Sequence, residues 1–227
     1  MEFERLSERY KGEAARTYDA ERQEGRKWRR EQDAIESLLA RVPEGLRTLD
    51  VPVGTGRLFP FYKLRRFDGT GVDVSSDMLA EAAARAAALE LKVDLQGGDI
   101  RSLPFPASSF DLVMCIRFLN WIDAAGFETA LGELARVSRQ HLLVGVRHLT
   151  PLADLRPTVT DAVRLARRML GHAQSRARRS GLIYHEKAVV SRAFKTLGLD
   201  TMASALVEKR SDGTDYCIYL LKKSRNG

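Results

Sequence analysis

The absences in this sequence narrow its class. No apolar run approaches the roughly 18 residues that a membrane-spanning helix needs, so no transmembrane segment is expected. Only two cysteines occur, Cys115 and Cys217, far apart and without metal-type spacing. That excludes a disulfide framework and reads as two reduced thiols, in strands, of a cytoplasmic protein. The opening Met-Glu-Phe-Glu-Arg-Leu is charged where a signal peptide would be apolar, so none is expected. No His/Cys cluster suggests a resident metal, and no repeat or low-complexity tract is evident. Aromatic residues make up 7% of the chain, and none interleaves its Arg-rich stretch as a stacking platform for bases would require. A nucleic-acid partner is therefore not expected.

What is present is ordinary globular usage. With 44% hydrophobic and 30% charged residues in 227, residues 1–227 read as a single domain with a full core. The net charge of +7 is uneven: Arg139 to Lys187 holds ten Lys/Arg against three Asp/Glu. Such a stretch either attracts phosphates, carboxylates or an anionic surface, or is a solvated helix face. Peripheral membrane contact stays open, although Arg164 to Arg179 lacks the Trp/Phe face of an interfacial helix.

The chain is organised around Thr48 to Val74. Leu49, Val51 and Val53 suit a buried strand, Gly54-Thr55-Gly56 turns the chain, and Arg57 opens a short helix to Arg65 in which Pro60 is tolerated in the first turn. A second strand, Gly71-Val72, ends on Asp73. Glycines admit a ligand close to backbone N–H groups, and a carboxylate at the neighbouring strand tip can accept two ribose hydroxyls. Together they indicate a nucleoside-containing cofactor. A dinucleotide is disfavoured, because the third small residue of that fingerprint is Phe59 here. A phosphate-binding loop is excluded by the missing Lys-Ser/Thr.

Around this stretch the pattern alternates strand and helix. Helices are expected from Phe3 to Arg22, through Trp28 to Val42, from Met78 to Leu89 behind a Ser75-Ser76-Asp77 start, from Ala124 to Arg139 and from Glu186 to Leu197. Strands are expected at Val93 to Gln96, Asp111 to Ile116, His141 to Val146, Thr201 to Val207 and Tyr216 to Leu221. The last two are joined by the turn signal Ser211-Asp212-Gly213. This is an α/β fold: a doubly wound, mostly parallel seven-stranded sheet with an antiparallel C-terminal hairpin and helices on both faces. Residues 1–45 are expected to form an N-terminal helical lid, and 150–185 a basic helical cap inserted after strand five.

Four blocks then fall in one order: Leu49-Asp50-Val51-Pro52-Val53-Gly54-Thr55-Gly56-Arg57; Val72-Asp73-Val74-Ser75 with Met78-Leu79; Gly98-Asp99; and Leu103-Pro104-Phe105 with Phe110-Asp111-Leu112-Val113. Together, from about Thr48 to Val146, they resemble the class I (Rossmann-like) S-adenosylmethionine-dependent methyltransferases. The resemblance implies S-adenosyl-L-methionine as cofactor and methyl transfer as the reaction. It implies Asp50 near the methionine amino group, close backbone approach at Gly54, Thr55 and Gly56, and Asp73 with Val74 and Met78 around the ribose and adenine. It further implies Asp99 and Ile100 at the adenine edge, Ile116 beside the methionine part, and Tyr18 in a segment folding over the cofactor. Tyr18 reads equally as an aromatic pinning a helix to the core. Pro52 departs from the commoner glycine and removes a donor.

Substrate residues are read from position alone. Arg117 and Asn120-Trp121 follow strand four and Arg147-His148 follow strand five, so both sets should face the transferred methyl. Arg117 and His148 are the candidate catalytic residues, His148 as a base for an O–H or N–H nucleophile. Alternatively His148 is a loop residue and Arg117 pairs with a nearby acid. Tyr184-His185-Glu186 is read as a helix start, and Trp28 as either a cap on the pocket or a surface residue. No Asn/Asp-Pro-Pro-Tyr/Phe block or Pro-Cys nucleophile of the nucleic-acid-methylating enzymes is found. A small-molecule acceptor, anionic or a lipid head group, is expected. The competing reading is a non-catalytic cofactor-binding scaffold that contacts RNA or an anionic membrane through the basic cap.

Overall fold

The computed structural model describes residues 25–149, 166, 181–210 and 214–224. Tyr18, the first expected helix and most of the basic cap lie outside these residues. The described chain runs α1 (Arg26–Leu39), β1 (Arg47–Asp50), α2 (Phe59–Arg65), β2 (Asp68–Asp73), α3 (Ser76–Ala88), β3 (Val93–Gly97), β4 (Phe110–Cys115), a 3-10 turn (Leu119–Trp121), α4 (Ala124–Val137), β5 (Ser138–Leu149), β6 (His185–Glu186), α5 (Lys187–Thr196), β7 (Leu199–Lys209) and β8 (Thr214–Lys223).

The strands form one sheet in the order β3-β2-β1-β4-β5-β8-β7, with β6 pairing off the path onto β5. β1 to β5 are parallel, and β8 returns antiparallel between β5 and β7. Helices cover both faces. On one, α4 and α5 bring Phe127, Leu131, Leu134, Val190 and Phe194 against Val113, Leu142 and Val144. On the other, α1, α2 and α3 bring Ile35, Leu39, Phe59, Tyr62 and Ala82 against Leu112, Met114 and Ile218. Double coverage explains why the inner strands read as continuous apolar runs.

Local chemistry sets the helix starts. The Ser75 hydroxyl accepts the Met78 N–H at 3.3 Å, and Asp123 accepts that of Gly126 at 2.8 Å. Proline at the start of α2 falls where an N–H is dispensable.

Two sequence expectations are corrected by pairing. The fifth strand does not stop at Val146. It runs to Leu149 because β8 stays in register with it through Leu149↔Thr214, and β6 adds His148↔His185 on the side that β4 has vacated. Arg147 and His148 are thus strand residues, not loop residues. Likewise His185–Glu186 is a short strand before α5, with Glu186 in the N-cap position.

One glycine on β5 ties the sheet to the helical layer. A methyl at Gly145 would lie 2.5 Å from the Tyr216 hydroxyl, the same hydroxyl that donates to Glu31 of α1 at 2.8 Å. Gly145→Ala is expected to destabilise the fold by about 1–3 kcal/mol through overpacking. Adding Tyr216→Phe removes the clashing oxygen, so the double variant should melt above the sum of the single effects. Strict additivity in thermal melts would show that the two side chains do not meet.

Candidate active site

Three chain segments converge at the carboxyl edge of the sheet: the loop after β1, the tip of β2, and the segment after β4. They enclose a cavity of about 780 Å³, including its part open to solvent. An open α/β sheet offers its ligand crevice at this edge, where the strand order reverses, here between β1 and β4.

The first segment contributes Asp50, Pro52, Gly54 and Thr55 to the wall. The two loop glycines do different work. Gly54 has φ 55°, and a methyl built there meets nothing within 4 Å, so the backbone presents itself to open space. Gly56 has φ 73°, but its methyl would strike the Phe59 ring at 2.4 Å. Gly56 does not line the cavity. The same Phe59 that breaks the dinucleotide fingerprint packs over it.

Asp73 ends β2 at 6% exposure. One carboxylate oxygen accepts the Gly54 N–H at 2.9 Å and the other the Ser75 N–H at 2.9 Å. A single side chain thereby clamps the β1 loop to the β2 loop. Burial raises its pKa from the ordinary value, against these backbone bonds. Each oxygen keeps further acceptor capacity for a hydroxyl. Val74, exposed although apolar, Ser75 and Met78 continue the wall beside it.

Asp50 is 2% exposed. Burial pushes its carboxyl up to about 8; Arg57 pulls it back and Asp73 adds to the rise. At neutral pH the acid in the cavity floor is therefore mostly protonated.

The far side of the cavity carries Ile116, Arg117, Phe118 and Trp121 from the segment after β4, and Arg57 from the glycine loop. Here the structure adds a residue that the sequence reading missed. Glu31 of α1 is 0% exposed. Its Oε2 accepts from Arg57 Nη1 at 2.8 Å, its Oε1 accepts from Arg117 Nε at 2.9 Å and from Tyr216 at 2.8 Å, and Arg117 Nη2 pairs with Oε2. Burial pushes Glu31 up, but the two guanidiniums and these hydrogen bonds outweigh it and hold its pKa below the usual value. Trp28, one turn earlier, lies over both guanidiniums at 5.0 and 5.5 Å. A signal for Glu31 did exist, since it occupies the apolar stripe of α1 with Ile35, Leu38 and Leu39. A lone acid on a buried stripe requires a cationic partner.

Other expected site residues lie elsewhere. Asp99 is committed to Arg101 through Nε and Nη2, and Ile100 is 3% exposed in the core; neither lines the cavity. His148 is corrected most clearly. It is 2% exposed inside β5, bonded through Nε2 to the Tyr219 hydroxyl at 2.8 Å, and burial lowers its pKa to about 4. It does not face the cavity. Arg147 turns to Glu208 and the Tyr216 ring, while Asn120 bonds the Arg147 backbone and Ile183, holding the segment before β6 in place. Among the described residues, no group of three or more His, Cys, Asp or Glu could hold a metal ion. Among them, too, no helix is long and apolar enough to cross a membrane.

Residues 48–141 match the methyltransferase-domain family, spanning the strands and loops that build this cavity. That segment is similar to a methyltransferase domain. Over 124 residues it is 36% identical to a malonyl-[acyl-carrier protein] O-methyltransferase of Pectobacterium atrosepticum, covering 52% of this chain and 44% of that protein. Over 115 residues it is 36% identical to a demethylmenaquinone methyltransferase of Deinococcus radiodurans, covering 49% and 45%. The chain thus spans less than half the length of these relatives. In fold it is similar to magnesium protoporphyrin IX methyltransferase of Synechocystis PCC 6803 with bound SAH. The TM-score is 0.71 at 15% identity, covering 96% of this chain and 98% of that one.

The raised pKa of Asp50 has a consequence for stability. Unfolded, Asp50 is an ordinary carboxyl, so between about pH 4 and 8 the folded state holds a proton that the unfolded state has lost. The associated stability is complete below the ordinary carboxyl pKa and is lost as pH rises to about 8. Asp50→Asn cannot ionise. The variant should show a flatter fall of stability over this range and exceed the parent at pH 8 by something on the order of 4 kcal/mol. Parallel stability curves for the two proteins would refute the assignment.

Proposed function

We propose that this chain binds S-adenosyl-L-methionine and transfers its methyl group to a small-molecule acceptor. The observation that carries this reading is the Asp73 clamp: a strand-tip carboxylate joined to the N–H of an unobstructed Gly54, in a domain of the methyltransferase family.

The cavity fits such a cofactor. Gly54 lets an adenosine approach the backbone. Asp73, already oriented by two N–H donors, accepts ribose hydroxyls on its remaining lone pairs. Val74 and Met78 offer apolar surface for a base. Asp50, neutral when the cavity holds only solvent, gains a reason to ionise beside an ammonium group. When bound, the cofactor supplies a methyl on positively charged sulfur, and its transfer to a nucleophile leaves a neutral thioether.

The protein's share of the chemistry is then alignment and exclusion of water. Ile116, Phe118 and Trp121 form the wall where an acceptor would enter. No histidine lines the cavity among the described residues, and His148 is sealed in β5. The basic stretch between Arg139 and Lys187 lies mostly outside the described residues, and an anionic acceptor agrees with its charge.

Incubation of the protein with methyl-labelled S-adenosylmethionine and fractionated metabolite pools should give S-adenosylhomocysteine and one labelled product by mass spectrometry. Asp73→Ala should weaken S-adenosylhomocysteine binding by at least about a hundredfold in calorimetry, since it removes a charge-assisted hydroxyl acceptor and the loop clamp together. Wild-type affinity in a cooperatively folded Asp73→Ala variant would sink the pocket assignment.

A further inference from the structure

Lys27 of α1, Arg147 of β5 and Arg210, just after β7, converge on one carboxylate. Glu208 Oε2 accepts from Lys27 Nζ at 2.9 Å and from Arg147 Nη1 at 3.1 Å, while Oε1 accepts from Arg210 Nε at 2.6 Å. Burial pushes the Glu208 carboxyl up, but Lys27 and Arg210 outweigh it and bring it down to about 2. Three cations thus share one anion, which leaves the group with two positive charges in excess. Lys27 registers the repulsion: burial and then Arg147 lower its pKa, with Glu208 opposing them.

None of these four residues lines the cavity. The group stands beside it, toward the carboxyl end of β5, and Tyr216 joins the two. Arg147 lies over the Tyr216 ring at 4.5 Å, and the Tyr216 hydroxyl bonds the same Glu31 that pairs with Arg57 and Arg117.

For the fold alone this arrangement is poor. One cation would satisfy the carboxylate, and each further one adds repulsion at close range. The start of α1 does not relieve it. Its first turn holds no acid, and Arg26, Lys27 and Arg29 sit at the positive end of the helix dipole. The side chains are also restrained from spreading apart, since Arg147 is 12% exposed and Arg210 24%. Lys27, at 41%, is the most open of the three.

The excess charge restricts the ligand. A carboxylate would leave one positive charge over. A phosphate monoester carries roughly −1.5 to −2 at neutral pH and offers three acceptor oxygens. Two guanidiniums and an ammonium suit those oxygens in number and in charge.

We propose that Lys27, Arg147 and Arg210, gathered by Glu208, form a receptor for a phosphate monoester carried by the methyl acceptor. The receptor lies on the α1–β7 side of the cavity, outside its walls. The inference rests on the methyl-transfer reading above for the source of the phosphate, not for the receptor itself.

Titration calorimetry on the full chain, without cofactor and at fixed ionic strength, compares phenyl phosphate with benzoate as the monoanion. The wild type should bind phenyl phosphate at least about tenfold more tightly than benzoate. Lys27→Met and Arg210→Met, shown by thermal melts to fold, should each lose at least about fivefold. Glu208→Gln removes the competing carboxylate at nearly constant shape and should bind phenyl phosphate more tightly than the wild type. Asp94→Asn makes the same change of net charge at an exposed position on β3, at the opposite end of the sheet, and should leave the affinity unchanged. A second arm treats the metabolite pools with phosphatase before incubation with methyl-labelled S-adenosylmethionine, and the labelled product should disappear. The proposal is overturned if benzoate binds as well as phenyl phosphate, or if both methionine variants keep wild-type affinity. It is equally overturned if Glu208→Gln binds no more tightly than Asp94→Asn, or if the product survives phosphatase. Failure of the methyl-transfer reading looks different: untreated pools give no labelled product, and the titrations still decide the receptor.

Discussion

A single carboxylate holds the site together. Asp73 accepts one N–H from the loop after β1 and one from the loop after β2, so neither loop can move without breaking a bond at the other. Both strands are parallel neighbours, with Asp50 opposite Gly71 in the register. The two loop tips are thus brought side by side by the sheet before any side chain acts. The carboxylate converts that proximity into a fixed wall. Its cost is desolvation, visible in the raised pKa, and the two backbone donors offset part of it. Everything that lines the cavity on the β2 side inherits its position from this bridge.

The features readable from sequence were local ones. Apolar runs, a glycine turn and an acid at a strand end are set by residues close together in the chain, and the strands and the β1 loop follow from them. Positions within a motif were less transparent. Gly54 and Gly56 look equivalent in sequence, yet only the packing of Phe59 against Gly56 separates backbone approach from core fit. Asp99 gives no sign in sequence that Arg101, two residues on, engages both its oxygens. The extent of β5 depends on partners from residue 185 and residue 214 onwards, which no local pattern of β5 encodes. His148 is buried within the sheet for that reason. Glu31 was hidden by distance, since its partners lie 26, 86 and 185 residues away.

The cavity is lined by two acids, Asp73 and Asp50, and two arginines, Arg57 and Arg117, with Glu31 bonded to both arginines. Glu31 and the two arginines are joined by ion pairs. Asp50 is close enough to Arg57 to feel its charge, yet burial still dominates and keeps the acid protonated near neutrality. Left to stability alone, such an arrangement is poor. A hydrophobic residue at position 50 or 57 would spare the fold a buried ionisable group. Tyr216 extends the consequence to β8: its hydroxyl binds Glu31 while its ring packs beside Gly145 and beneath Arg147. The antiparallel end of the sheet, remote from the glycine loop in sequence, thus carries the base on which the cavity's cations rest.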